Sequence, residues 1–97
     1  MHIEETEVYR DWINSLKDLG ARARIQVRVD RLVHGNPGTH RHLTSGISEL
    51  KIDVGPGYRV YYMLQGTRLL LLLAGGDKST QRRDVEKAIR LAQNYQE

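Results

Sequence analysis

The chain has 97 residues, 39% hydrophobic and 28% charged, which is the composition of a folded soluble protein and predicts one domain over residues 1–97. It contains no cysteine, which excludes disulfide and thiolate chemistry. The net charge of +3 permits a nucleic-acid or acidic partner without requiring one. The N-terminus is polar and the densest apolar run, residues 69–74, is too short to cross a bilayer, so we expect a cytoplasmic location and no membrane partner.

The first third of the chain predicts a short strand over residues 2–5 and then a helical hairpin. Thr6 is a good N-cap for a helix over residues 7–16. Its apolar positions recur at helical spacing and are Val8, Trp12, Ile13, Leu16 and Leu19. A second helix over residues 18–33 has the apolar stripe Ala21, Ile25, Val29 and Leu32, although part of it also alternates as a strand does.

Glycine and proline divide the rest of the chain. Residues 35–38, Gly-Asn-Pro-Gly, end the second helix, and residues 39–46 are predicted to be a polar loop that carries His40 and His42. Three strands follow, over residues 48–54, 58–64 and 69–74, joined by two glycine turns. The third strand is continuously apolar, which is typical of a strand covered on both faces in the middle of a sheet.

The alternation of the first two strands defines the two sheet faces. One face carries polar residues, which are Glu49, Lys51, Asp53, Arg59 and Tyr61. Pairing symmetric about Pro56 predicts Asp53 opposite Arg59 and Lys51 opposite Tyr61. That register would allow Asp53 to form an ion pair with Arg59. Arg59 could therefore have a structural role in this pair or a role in a functional site, and the sequence leaves both open.

A last helix is predicted over residues 80–95, capped by Ser79 or Thr80. Its apolar stripe is Val85, Ala88, Ile89, Ala92 and Tyr95. The order β-α-α-β-β-β-α predicts an α+β fold, with an antiparallel sheet, helices on one face, and the Lys51/Arg59 face open.

Three cations, Lys78, Arg82 and Arg83, surround the start of the last helix. Cations there oppose the helix dipole, so helix stability does not explain them. An anion such as phosphate would be favoured at this position.

Several runs together resemble the addiction-module killer protein (HigB-like) branch of the RelE/ParE toxin superfamily. These are GNPG at residue 35, GISELKIDVGPGYRVYY at residue 46 and LLAGGDKSTQ at residue 72, and the resemblance covers nearly the whole chain. It implies a type II toxin, with RelE-type members cutting mRNA on the ribosome without a metal or cofactor. It also implies a helix-turn-helix antitoxin as partner. The antitoxin would bind operator DNA, so the toxin would be linked to this DNA only indirectly.

The resemblance further implies a basic catalytic group of Lys51, Arg59 and Lys78. Residues implied to contact RNA or the ribosome are Arg24, Arg28, Arg31, Glu49, Tyr61, Arg82 and Arg83. Cleavage through the 2′-hydroxyl needs a base, an acid and charge stabilisation at the phosphate, and guanidinium suits the last role. Both Lys51 and Glu49 are candidates for the base. Lys78 is a candidate for the acid or for a second group that binds the phosphate.

Two other functions stay open. The ParE branch shares the fold and inhibits DNA gyrase, and a toxin fold can also persist as an inactive antitoxin-binding module. Cut transcripts indicate the nuclease, DNA damage indicates the gyrase inhibitor, and absence of toxicity indicates the inactive module.

Overall fold

A computed structural model describes residues 1–96 of the chain. The elements, in chain order, are β1 (His2–Glu5), α1 (Glu7–Ser15), α2 (Leu19–Val33), β2 (His40–His42), β3 (Ile47–Ile52), β4 (Tyr58–Gln65), β5 (Leu69–Asp77), a 3₁₀ turn (Lys78–Thr80) and α3 (Gln81–Gln96). The predicted α+β fold is confirmed, with one additional strand.

The five strands form a single sheet in the order β1-β5-β4-β3-β2. The predicted meander is confirmed, because β3 pairs antiparallel with β4, and β4 with β5. The predicted short first strand also forms, but β1 runs parallel to β5, so the sheet is mixed rather than wholly antiparallel. β5 lies between two strands and is buried on both faces over residues 70–74, as its apolar run predicts.

Part of the segment predicted to be a loop is a strand. His40, Arg41 and His42 pair with Leu50, Glu49 and Ser48 of β3, so β2 is an edge strand. The prediction of a loop over residues 39–46 is wrong here because all three side chains are polar and exposed, and the sequence shows no alternation.

The register of β3 and β4 differs from the prediction by two residues. Lys51 lies opposite Arg59, and Glu49 lies opposite Tyr61. The reason is that Asp53 leaves the strand and joins the turn, which the Gly57 N–H closes by donating to the Val54 carbonyl at 3.0 Å. A shift of two residues keeps every side chain on its predicted face.

The helices cover both faces of the sheet, so the prediction that they lie on one face is wrong. α1 and α2 pack over one face, where Leu70 and Leu72 belong to their core cluster. α3 packs over the other face, against Leu71 and Leu73. Alternate residues of an apolar strand point to opposite faces, so β5 requires cover on both sides. The Lys51/Arg59 face is therefore covered by α3 rather than open.

The helix caps and stripes are mostly as predicted. Thr6 and Asp18 cap α1 and α2, and the four predicted stripe residues of α2 are buried. The predicted burial of Leu19 and Tyr95 is wrong, because they are 71% and 39% exposed. Asp77, rather than Ser79 or Thr80, is the residue that caps the turn before α3.

Candidate functional site

One end of the sheet brings together the three predicted catalytic cations. Lys51 near the end of β3 lies opposite Arg59 near the start of β4. Arg59 in turn lies opposite Gly76, two residues before Lys78. A Cβ placed on Gly57 would lie 3.6 Å from both Arg59 Nη1 and Lys78 Cβ, so Arg59 and Lys78 flank the same glycine. Lys78 is exposed, Lys51 is half-buried and Arg59 is buried.

Neighbouring groups on β3 and β4 hold the Arg59 guanidinium. Nη1 donates to the carbonyls of Gly57 and Tyr58, each at 3.2 Å. Nε lies 3.4 Å from Oε1 of Glu49. The predicted alternative that Arg59 pairs with Asp53 is wrong about the partner, because Asp53 is an exposed turn residue and Glu49 supplies the carboxylate.

Glu49 joins three elements although its side chain is fully buried. Its Oε1 accepts a hydrogen bond of 2.6 Å from Nε2 of Gln81 at the start of α3. Its Oε2 lies 3.1 Å from Nη2 of Arg41 on β2. A carboxylate without exposed surface favours a positioning role over the predicted contact with RNA.

Tyr61 is buried beside this carboxylate. It is 0% exposed and belongs to the core cluster under α3. Burial, and then the negative charges of Glu49 and Asp84, raise the pKa of Tyr61 above its ordinary value. The phenol is therefore neutral at physiological pH, and its position favours a packing role over the predicted contact with RNA.

The start of α3 already contains an acceptor for its free N–H groups. The Asp77 carboxylate accepts from the Ser79 N–H at 2.8 Å, and Asp77 and Thr80 form a capping box. Lys78, Arg82 and Arg83 are exposed around this turn. The predicted phosphate position at the helix start is thus partly occupied by the protein's own carboxylate, and anion binding by the three exposed cations stays a prediction.

The three arginines predicted to contact RNA on α2 differ in their surroundings. The Arg28 guanidinium donates to the carbonyls of Lys51, Pro37 and Thr39 at 2.7, 3.0 and 2.9 Å. Arg24 and Arg31 are exposed. This arrangement favours a structural role for Arg28 and leaves Arg24 and Arg31 for ligand contact.

Sequence reasoning missed Arg41 and Gln81, the two residues that complete the surroundings of Glu49. Recognition of β2 as a strand would have placed Arg41 opposite Glu49. For Gln81 the sequence contains no such signal, because its contact depends on how α3 packs on the sheet. No three His, Asp or Glu side chains within residues 1–96 are grouped as metal ligands. None of the helices in this part of the chain has the length and hydropathy needed to span a membrane.

Comparison with known proteins identifies the family. Residues 11–97 match the family model described as phage-derived protein Gp49-like (DUF891). The chain belongs to the Gp49-like family. A protein of Haemophilus influenzae (strain Rd) that is described as uncharacterized is 46% identical over 93 residues, covering 96% of this chain and 94% of the relative.

The Gp49-like family is a RelE/ParE-like toxin-type family. This membership agrees with the observed α+β fold and with a toxin-like module, and it suggests an antitoxin as partner. The family, rather than any one side chain of the site, carries this assignment.

Proposed function

We propose that this Gp49-like protein is the toxin of a type II toxin-antitoxin system and a HigB-like, ribosome-dependent mRNA endoribonuclease that needs no metal or cofactor. The observation that carries the proposal is the meeting of Lys51, Arg59 and Lys78 at one end of the sheet. Lys78 is exposed, Lys51 is half-buried and the Arg59 side chain keeps 8% of its exposure, so the three form a cationic group suited to the doubly charged phosphate of a transition state. Family membership supports the toxin-type module in which this surface lies.

In the proposed reaction the 2′-hydroxyl of one nucleotide attacks the adjacent phosphate and releases the 5′-oxygen of the next nucleotide. The proton of the 2′-hydroxyl goes to a base, and the departing 5′-oxygen receives a proton from an acid. Arg59 stabilises the added negative charge on the phosphate, since its guanidinium is held in place by Glu49 and two carbonyls. Lys78, which is exposed, supplies the acid or a second clamp.

Glu49 is a weaker candidate for the base than Lys51. The carboxylate is fully buried between Arg41 and Arg59, whereas Lys51 is half-buried at the sheet end. Lys51 also lies opposite Arg59 in the sheet, which places it beside the position proposed for the phosphate. We therefore assign Lys51 as base and Glu49 as the residue that orients Arg59.

The proposed partners follow from the same assignment. A cognate helix-turn-helix antitoxin neutralises the toxin and binds operator DNA as part of the toxin–antitoxin complex. The ribosome and mRNA are the targets of the free toxin. The exposed Arg24, Arg31, Arg82 and Arg83 are available to contact ribosomal phosphates, which would make target binding dependent on salt.

The test is induced expression without antitoxin, with mRNA 5′ ends mapped and translation followed. We expect cuts in frame with codons on translated messages. Lys78→Ala should abolish the cuts, because an exposed clamp or acid is removed without disturbing the core, and Lys17→Ala, an exposed lysine on the α1–α2 loop, should retain them. Arg59→Ala discriminates less well, because it also removes one of the neighbours of buried Glu49.

The same experiment separates the other functions. If growth stops while messages stay intact and DNA is damaged, the protein is a gyrase inhibitor and not a nuclease. Full toxicity of Lys78→Ala would remove Lys78 from the site. If the wild-type chain has no effect on growth, the remaining function is that of an inactive antitoxin-binding module.

A further inference from the structure

A groove runs between α2 and the segment that follows β3. α2 has a second stripe besides its buried one, and this stripe consists of Gly20, Ala23, Arg24, Val27, Arg28 and Arg31. The opposite wall is formed by residues 51–54 and by Thr39. The groove has a volume of about 590 Å³. At 1.5 Å per residue the stripe extends over roughly 16 Å of helix, or about three turns.

The floor of the groove is small and apolar. Gly20 and Ala23 leave space above the helix backbone, and Val27 is 49% exposed at its centre. Ile52 and Val54 supply apolar surface from the facing wall. An exposed valine in a concave, apolar-lined groove is typical of a surface that a partner covers.

The rim of the groove is basic. Arg24 and Arg31 stand on the helix side, and Asp53 is the acidic residue among its lining. Arg28 also lines the groove and is held by three carbonyls, so this part of the wall is fixed before any ligand arrives. Gly38 makes this possible, because a Cβ there would lie 3.1 Å from Arg28 Nη2.

We propose that this groove is the docking site for an acidic amphipathic segment of the neutralising antitoxin. Apolar side chains of the segment would cover Val27 and Val54, while its carboxylates would meet Arg24 and Arg31. An RNA backbone matches the rim but gains little from the apolar floor, so the groove favours a protein segment over RNA. The identity of the partner rests on the proposed toxin function, whereas the chemistry of the segment rests on the groove.

The test uses the protein encoded beside this chain that rescues its toxicity, purified as a complex with the full chain. Val27→Asp places a carboxylate on the apolar floor and should weaken the complex at least about tenfold. Gln26→Asp introduces the same residue one position earlier, at an exposed position of α2 outside the groove, and should change the affinity less than about twofold. In cells, Val27→Asp should remain toxic and escape neutralisation.

Ala23→Gln provides a second variant that does not depend on an added charge. It fills the floor at an exposed position and keeps a good helix former, so the fold should be retained. It should weaken the complex in the same direction as Val27→Asp. Normal affinity and normal neutralisation of both variants would overturn the groove while leaving the toxin function untouched.

The rim is tested separately by charge reversal. Arg24→Glu combined with Arg31→Glu should slow association with the antitoxin and reduce its dependence on salt. The control is Arg68→Glu combined with Arg90→Glu, two exposed arginines outside the groove lining. If these rim variants weaken binding of a single-stranded RNA oligonucleotide but leave the antitoxin complex unchanged, the groove binds RNA and the proposal is wrong. If the chain is not toxic and no neighbouring protein binds it, both this inference and the proposed function fail. If messages stay intact but the complex depends on the groove, the proposed nuclease activity is wrong and the proposed docking site stands.

Discussion

Nε of Arg59 lies 3.4 Å from Oε1 of Glu49, whose side chain is fully buried. A buried charge is costly unless it is paired, and here the cost is shared because Arg41 and Gln81 also contact the same carboxylate. These contacts link β2, β3, β4 and α3 through one side chain. The position of the proposed phosphate-binding arginine therefore depends on the packing of α3 against the sheet.

The first prediction concerns the stability that Glu49 provides. Glu49→Ala should lower the free energy of unfolding by about 3 kcal/mol, because it leaves Arg59 buried without its carboxylate. Asp53→Ala, which removes an exposed carboxylate from the adjacent turn, should change it by less than about 0.5 kcal/mol. Urea unfolding of the two variants and the wild type measures the difference. Equal losses in both variants would mean that the Glu49 contacts do not stabilise the fold.

The second prediction separates Arg28 from the other arginines of α2. Arg28→Ala should destabilise the protein by about 2 kcal/mol, because it removes three hydrogen bonds that the guanidinium donates to backbone carbonyls. Arg24→Ala removes an exposed arginine from the same helix and should cost less than about 0.5 kcal/mol. Thermal unfolding at one pH compares them. A neutral Arg28→Ala would show that water replaces these hydrogen bonds without loss.

The elements that the sequence predicts well are those whose side-chain pattern has one period and one environment. α2 is an example, because Ile25 and Val29 fall on a helical stripe and Asp18 supplies its cap. β5 is another, since its apolar run already requires cover on both faces of the sheet. Strand pairing also brings the three cations of the predicted basic group to one end of the sheet, while their catalytic role stays a prediction.

The remaining features depend on contacts between distant segments, which local patterns do not contain. β2 has only polar, exposed side chains, so it forms through backbone pairing at an edge. The partner of Arg59 was predicted incorrectly because the length of the turn after Ile52 sets the register. The contact between Gln81 and Glu49 requires α3 on the sheet face that was expected to be open.

The third prediction concerns the close approach of Trp12 to the sheet. A Cβ on Gly75 would lie 2.1 Å from Cε3 of the Trp12 ring, a distance that forces the ring or the strand to move. Gly75→Ala should therefore destabilise the protein by roughly 2 kcal/mol or more. Gly20→Ala is the control, because an added Cβ in the first turn of α2 meets Asp18 Oδ1 at 3.3 Å and alanine favours the helix, so the change should stay below about 1 kcal/mol.

Near-ultraviolet circular dichroism of Trp12 gives a second measurement for this prediction. The signal should change in Gly75→Ala and stay constant in Gly20→Ala, because only the first substitution displaces the ring. An unchanged spectrum together with unchanged stability would show that the β5 backbone accommodates the methyl group, contrary to the expectation for a well-packed interior.

The last prediction concerns how the free energy of unfolding changes as the pH falls into the acid range. Hydrogen bonds from the Ser79 hydroxyl and backbone N–H hold the pKa of the Asp77 carboxyl below its ordinary value of 3.8. A depressed folded-state pKa adds stability above pH 3.8, and this stability is lost as the pH falls through the folded-state value. Asp77→Asn keeps a capping oxygen that does not titrate, so the wild type should be more stable at neutral pH, and the difference should vanish in acid.

Thermal unfolding of wild type and Asp77→Asn between neutral pH and about pH 3, at constant ionic strength, measures this difference. Asp53→Asn removes an exposed carboxylate from the β3–β4 turn and controls for the change in net charge. A wild-type advantage that persists unchanged in acid would mean that cap geometry, rather than ionisation of Asp77, stabilises the turn.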